Sequence, residues 1–255
     1  MGITLMVLVA FVAPSVLDGN DPVVVCVVAA SAIAFTSLYL THGFSPTTTM
    51  ALAGTLGALA ATLALSSMFF ALTSITGLGT EEALLLPSFA GGIDLSGLLL
   101  GGAVIGALGA LDDITVTQAA TVAELRRRDP EATTADLVAS GIAIGREHIA
   151  ATVNTLLLAY AGASMPLLLL FSISDQSLVM VANSEVIAVE IVRTLCGSIG
   201  LVAAVPVTTA LAAIATSPRG RTGADESDPA PADPDADAPD PPRWEDFAPD
   251  EDDLD

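Results

Sequence analysis

The chain has 255 residues, of which 53% are hydrophobic and only 15% are charged, and its mean hydropathy is +0.70. This composition excludes an ordinary soluble domain and is typical of a protein that crosses a lipid bilayer several times. The net charge of −21 disfavours a nucleic-acid partner, and the excess of acids over eight arginines, with no lysine, favours a halophilic source.

Six apolar segments are predicted to be membrane helices, because hydrocarbon leaves helices as the natural way to satisfy backbone groups and no alternating strand pattern is present. They cover residues 3–17, 22–40, 47–75, 95–122, 149–173 and 186–216. The predicted fold class is therefore all-α: a polytopic transmembrane helix bundle over residues 1–221. Residues 222–255 are rich in acids and proline, cannot form a core, and are predicted to be a disordered cytoplasmic tail.

The arginines predict the orientation. Arg126, Arg127 and Arg128 follow the fourth segment, Arg146 precedes the fifth, and Arg219 and Arg221 follow the sixth. Since positive charge stays inside, we expect a multi-pass protein of the cell membrane whose two termini and 126–147 loop are cytoplasmic.

Two connections carry further expectations. In the 126–147 loop, Pro130 ends the preceding helix, and Thr133 or Thr134 caps a short helix on the inner membrane surface. The connection 77–94 contains an apolar stretch that is too short to cross the bilayer. It is therefore predicted to be a re-entrant or interfacial segment.

The most informative residues are Asp112 and Asp113, because carboxylates are costly in hydrocarbon and usually face a bundle interior, a partner or a water path. If the span begins at residue 95, the acids lie at its inner end. If the arginines 126–128 mark the interface, Asp113 lies about 20 Å further in, near the midplane. Successive helical residues point about 100° apart, so only one acid can face a given site.

Glycines precede the acids. Gly102 and Gly106 form a G-x-x-x-G pair, and Gly109 follows on the same helix. Such small residues let helices approach closely, so these three are predicted to form a helix-packing face.

Polar residues in the last two segments complete the candidate pathway for a substrate or ion. Asn154 and Thr155 can hydrogen-bond across helices, as site residues or as interhelical contacts. Glu190 and Arg193 have i, i+3 spacing and can either serve a site or neutralise each other. If Asp113 lies deep, we expect Asn154 or Thr155 to be its closest polar neighbour.

Three stretches together resemble the YibE/F-like family of multi-pass membrane proteins: GALGALDD at 106–113, IGREHIAATVNTLLLAYAG at 144–162, and EIVRTLCGSIGLVAAVPVTT at 190–209. The resemblance covers about 95–215 and equates Asp113 with the acid that follows the glycine run, whereas Asp112 replaces a usually uncharged residue. It implies a permease-like role. Family chains are often longer, with an N-terminal anchor and an extracytoplasmic domain, neither of which is recognised in this sequence. The role of that domain is then either absent here or supplied by a membrane or extracytoplasmic partner protein.

The sequence favours a transporter or permease-like component for an unidentified small solute or ion, embedded in the lipid bilayer. A non-transporting membrane scaffold or assembly partner is the alternative. An enzyme is not expected, because the chain has neither H-E-x-x-H nor G-x-S-x-G. No cofactor is expected, and two cysteines with two scattered histidines predict no metal site.

Overall fold

The computed structural model describes residues 2–79, 81–89, 91–173 and 178–217, and over these residues the secondary structure is helical with no strand. The predicted all-α helix bundle is therefore confirmed. The predicted tail, 222–255, lies outside the described residues.

The helices follow the apolar segments. We label them in chain order as α1 (Gly2–Leu17, with a π-helical turn at Leu8–Val12), α2 (Pro22–His42), α3 (Pro46–Thr73), α4 (Glu81–Phe89), α5 (Leu95–Arg128), α6 (Thr134–Ala163), α7 (Met165–Ile173), α8 (Leu178–Ala182) and α9 (Glu185–Ala215). Among the described residues, α2, α3, α5 and α9 are long and apolar enough to cross a membrane, and α1 is a shorter apolar helix.

Helix starts are set by polar caps in the connections. The Asp21 carboxylate accepts hydrogen bonds from the first backbone N–H groups of α2, Ser45 does so for α3, and Asp94 does so for α5. At the other end of α2, Gly43 adopts a φ of 72°, which a residue with a side chain rarely adopts. These caps explain why the apolar segments break where they do.

The 126–147 connection differs from the sequence prediction. The expected short surface helix and the first part of the fifth span form one helix, α6, because no helix breaker separates them. Thr133 is its cap: its hydroxyl accepts from Asp136 N–H, and the Asp136 carboxylate accepts from Thr133 N–H, each at 3.1 Å. The hydrogen bonds from Thr133 lower the pKa of Asp136 below its ordinary value. The predicted span 149–173 is divided at Ser164, where α6 ends.

The connection predicted to be re-entrant or interfacial contains α4, which has 9 residues and Pro87 inside it. At ~1.5 Å per residue it reaches less than half of the hydrocarbon thickness.

Helix α5 lies at the centre and packs against α2, α3, α6 and α9. Its fully buried side chains Leu111 and Ile114 meet Leu201 and Val205 of α9 in the main core. Gly101 near the start of α5 contacts Cys26 near the start of α2. Thr117, further along α5, lines the same cavity as His42 at the end of α2. The two helices therefore run in the same direction. We call the end of the bundle that carries Arg126–Arg128 and His42 the arginine end.

Candidate functional site

The two adjacent acids lie halfway along α5 in different surroundings. Asp112 is half-buried, whereas Asp113 is exposed. The Thr55 hydroxyl of α3 donates to Asp112 Oδ1 at 3.4 Å and lies 2.6 Å from the Thr115 hydroxyl. No salt bridge to either acid occurs among the described residues. Asp112 is thus a partly desolvated carboxylate with one long hydrogen bond, although it can accept about four.

Both acids line a cavity of about 870 Å³ between α1, α2 and α5. Its walls are mainly apolar, with side chains such as Leu5, Leu8, Ile33, Leu38, Ile105 and Leu108. Hydroxyls of Thr4, Ser37 and Thr117 add polar groups, and His42 lies at the arginine end.

A second space, of about 610 Å³, continues from this cavity along α5. The two share His42, Val116 and Thr117, and the second reaches Glu124 and Arg128. We call the two spaces together the vestibule. It connects Asp112 with the arginine end of the bundle.

Charge is distributed unevenly in the vestibule. Glu124 pairs with Arg127 and Arg128 at 2.8 Å, so the carboxylate at the mouth is compensated. Asp112 and Asp113, further in, have no such partner among the described residues. The uncompensated negative charge of the vestibule therefore lies around Asp112 and Asp113, away from the arginine end.

On the other side of Asp112, polar side chains run through the core between α3, α5 and α9. We call this set the buried polar seam. Its members are Thr48, Thr55, Thr62, Ser66, Thr115, Gln118, Thr208 and Thr209, each at most 4% exposed. From Thr48 to Ser66 the seam follows α3 for ~27 Å, close to the ~30 Å of a hydrocarbon core.

The seam is closely packed. Gly54 faces the Thr208 side chain and Gly200 faces the Thr62 hydroxyl, so a Cβ at either glycine would clash. Thr62 donates to the carbonyl one turn earlier, and the single Thr55 hydroxyl proton is shared between Ala51 O, at 3.1 Å, and Asp112 Oδ1, at 3.4 Å. Ser66 Oγ and Thr208 Oγ1 find no hydrogen-bond partner among the described residues. Buried hydroxyls without partners are uncommon and are candidates for water or ion contact.

Gln118 joins three helices at the seam. Its Nε2 donates to the Gly141 carbonyl of α6 at 2.7 Å and to the Thr209 hydroxyl of α9 at 2.6 Å. A Cβ on Gly141 or Gly145 would collide with this arrangement, so the two glycines let α6 approach.

The other candidate residues lie elsewhere. Asn154 and Thr155 are exposed, and neither lines the vestibule; the Thr155 hydroxyl donates to Ala151 O at 2.9 Å. The expected contact between Asp113 and these residues is therefore not found. The expected pairing of Glu190 with Arg193 is confirmed at 2.9 Å.

The glycines predicted to form a helix-packing face are not covered by a described helix. A Cβ at Gly102, Gly106 or Gly109 would meet nothing within 4 Å among the described residues, so these glycines do not hold two described helices together. Gly106 and Gly109 line the cavity instead. Close packing is made by Gly54 and Gly200, by Gly101 of α5 against Cys26, and by Gly141 and Gly145, which form a G-x-x-x-G pair in α6.

Sequence reasoning missed the seam, although α3 carries a signal for it. Thr48, Thr55 and Thr62 recur every seven residues, which places them on one face of an otherwise apolar helix. The place of His42 in the vestibule has no signal in the sequence, because nothing there brings the end of α2 to the middle of α5.

Comparison with models of known protein families identifies the family of the chain. The family model described as YibE/F-like protein matches residues 1–218. The chain therefore belongs to this family, and the match extends beyond the 95–215 region that carries the sequence resemblance. No curated protein and no solved structure matches the chain.

Proposed function

We propose that this YibE/F-like membrane protein is a permease-like component in which Asp112 contacts the transported solute or ion. One observation carries the proposal: Asp112 lies where the vestibule meets the buried polar seam. Its carboxylate lines the cavity and also accepts a hydrogen bond from Thr55 of the seam. Ionisable groups inside membrane proteins mark substrate and ion pathways, which supports this role.

The two sides of Asp112 suggest two parts of a pathway. The vestibule leads from the acid to the arginine end, which the positive-inside rule assigns to the cytoplasm. The seam continues past the acid toward the other end, where Thr62 and Ser66 are fully buried. In this proposal the described arrangement is the inward-open one, and separation of α3 from α9 would open the seam.

The rival function is a scaffold that transports nothing. The open face of Gly102, Gly106 and Gly109 favours it, since no described helix covers these glycines. A partner helix could pack there. We place this function second because packing at that face leaves Asp112 and the vestibule without a role.

Flux measurements separate the two functions. Purified protein is reconstituted into liposomes, and uptake of rubidium, chloride, glycine, phosphate and tetraphenylphosphonium is compared with protein-free liposomes. The proposal predicts protein-dependent uptake of at least one probe that Asp112→Asn abolishes. The matched control is Asp18→Asn, which removes an exposed acid between α1 and α2. Equal uptake with and without protein for every probe contradicts the permease and favours the scaffold.

A further inference from the structure

We infer that the cavity around Asp112 binds a lipophilic organic cation. This deepens the proposed function by naming the class of its substrate, and it rests on that function. Four features of the cavity support this: its size, the nature of its walls, the placement of its charges and the glycines that keep it open.

Size and walls indicate an organic ligand. At about 870 Å³ the cavity lies within the usual range of sites for drug-sized molecules. A dehydrated inorganic ion could use the carboxylate and hydroxyl oxygens of the lining, but it would leave the leucine and isoleucine walls without a partner. Apolar side chains from α1, α2 and α5 instead offer surface to hydrocarbon or aromatic groups.

The charges select the sign of the ligand. Among the described residues, those that line the cavity include two carboxylates, Asp112 and Asp113, and no arginine, and His42 is their one basic side chain. Arg127 and Arg128 nearby are held by Glu124. A cation that enters this partly apolar space would be attracted to the acids more strongly than in water, and an anion would be repelled.

Asp112 also has room for such a partner. The Thr55 hydroxyl supplies the one side-chain hydrogen bond to the Asp112 carboxylate, at 3.4 Å. No other side chain of the described residues donates to this carboxylate. A bound ammonium or phosphonium ion would compensate the charge from the cavity side while Thr55 remains in place on the seam side.

Glycine keeps the space open. Gly109 lines the cavity on the same helix as Asp112, and a Cβ there would meet nothing within 4 Å. A large side chain at this position would therefore enter the cavity without disturbing helix packing. Gly102, on the same helix, is equally open and does not line the cavity, so it offers a matched control.

The test is equilibrium binding of tetraphenylphosphonium to purified full-length protein in detergent, with tetraphenylborate as the ligand of similar shape and opposite charge. We expect the wild type to bind the cation and not the anion. Asp112→Asn is expected to weaken binding about tenfold or more, whereas Asp18→Asn leaves it unchanged. Gly109→Leu is expected to abolish binding and Gly102→Leu to preserve it.

Three results would overturn the inference: equal binding of both probes, no effect of Asp112→Asn, or equal binding by the two glycine variants. A phospholipid that fills the cavity in wild-type protein and is not released by tetraphenylphosphonium would overturn it as well. Cation binding without any flux would remove the permease and keep the site. Flux of a neutral or anionic solute without cation binding would keep the permease and remove the cation site.

Discussion

Gly54 provides a direct test of the packing between α3 and α9. A Cβ at this position would lie 3.0 Å from the Thr208 Cβ and closer still to the Thr208 hydroxyl. Thr208 is fully buried and β-branched, so it has little freedom to move away. The substitution Gly54→Ala therefore forces α3 and α9 apart or strains Thr208.

Two effects set the magnitude. Overpacking of a tight interior costs about 1–3 kcal/mol. Replacing glycine by alanine inside a helix contributes about 1 kcal/mol in the opposite direction. We expect Gly54→Ala to lower the free energy of unfolding by about 0–2 kcal/mol. Gly102→Ala has open space around it and is expected to raise that free energy by up to about 1 kcal/mol.

The assay is unfolding by sodium dodecyl sulfate titration in mixed micelles. Both variants replace an interior helical glycine by alanine, so the difference between them isolates the overpacking cost, about 1–3 kcal/mol. If Gly54→Ala is as stable as Gly102→Ala, the close contact between α3 and α9 is not present in the folded protein.

Three further predictions concern the acids, the seam and the cap. Asp112→Asn should abolish flux while the protein still folds, and Asp113→Asn should be milder because Asp113 is exposed; flux assays with size-exclusion controls check this. Gln118→Met should lower the free energy of unfolding by about 1–2 kcal/mol, since it removes hydrogen bonds to α6 and α9; detergent unfolding measures it. At pH values above 3.8, the ordinary pKa of Asp136, the Thr133 cap should stabilise the protein. This stabilisation should be lost as the pH falls through the lowered pKa of Asp136 in the folded state. The stability difference between wild type and Thr133→Ala should then shrink as the pH falls below the ordinary pKa of 3.8.

The helical class was readable from the sequence because apolar runs, proline and caps act locally. Pro22 and Pro46 begin helices, and the acid or serine before each supplies the cap. The division at Ser164 had a local signal in Pro166, two residues further on, which the prediction of one span over 149–173 did not use because the apolar pattern continues through MPLLLL. An apolar sequence pattern indicates that a segment is removed from water, but it does not indicate where a helix ends.

The site was readable in part. The sequence singled out Asp112 and Asp113 because acids in an apolar run are costly. It favoured Asp113 and the inner half of the fifth span, whereas the half-buried acid with a hydrogen bond is Asp112, and its partner Thr55 lies 57 residues earlier in the chain. Which face of α5 meets which helix depends on packing of the whole bundle. Helical spacing alone gives relative directions and not neighbours.

The glycine run of α5 shows a related limit: its prediction as a helix-packing face stays a prediction, because no described helix covers Gly102, Gly106 or Gly109. G-x-x-x-G indicates a surface on which a helix could pack closely, but it does not require that a helix of the same chain occupies it. Gly102 and Gly106 face open space, whereas Gly54 and Gly200 meet threonine hydroxyls of neighbouring helices. Isolated glycines opposite threonines carry no motif that a single sequence reveals.

We expect water and solutes to reach the Asp112 cavity from the arginine end. The most direct test of this expectation is thiol labelling at Ser37, which lines the cavity, and at Phe35, which is exposed on the same helix outside it. Each is replaced by cysteine in a chain whose buried Cys26 and Cys196 are changed to alanine.

The reagent is the membrane-impermeant cation 2-(trimethylammonium)ethyl methanethiosulfonate, added to inside-out and right-side-out vesicles. The account predicts that Ser37→Cys reacts from the cytoplasmic side and that Phe35→Cys, facing lipid, does not react from either side. If Ser37→Cys is as unreactive as Phe35→Cys, the cavity is filled by lipid and the account is contradicted.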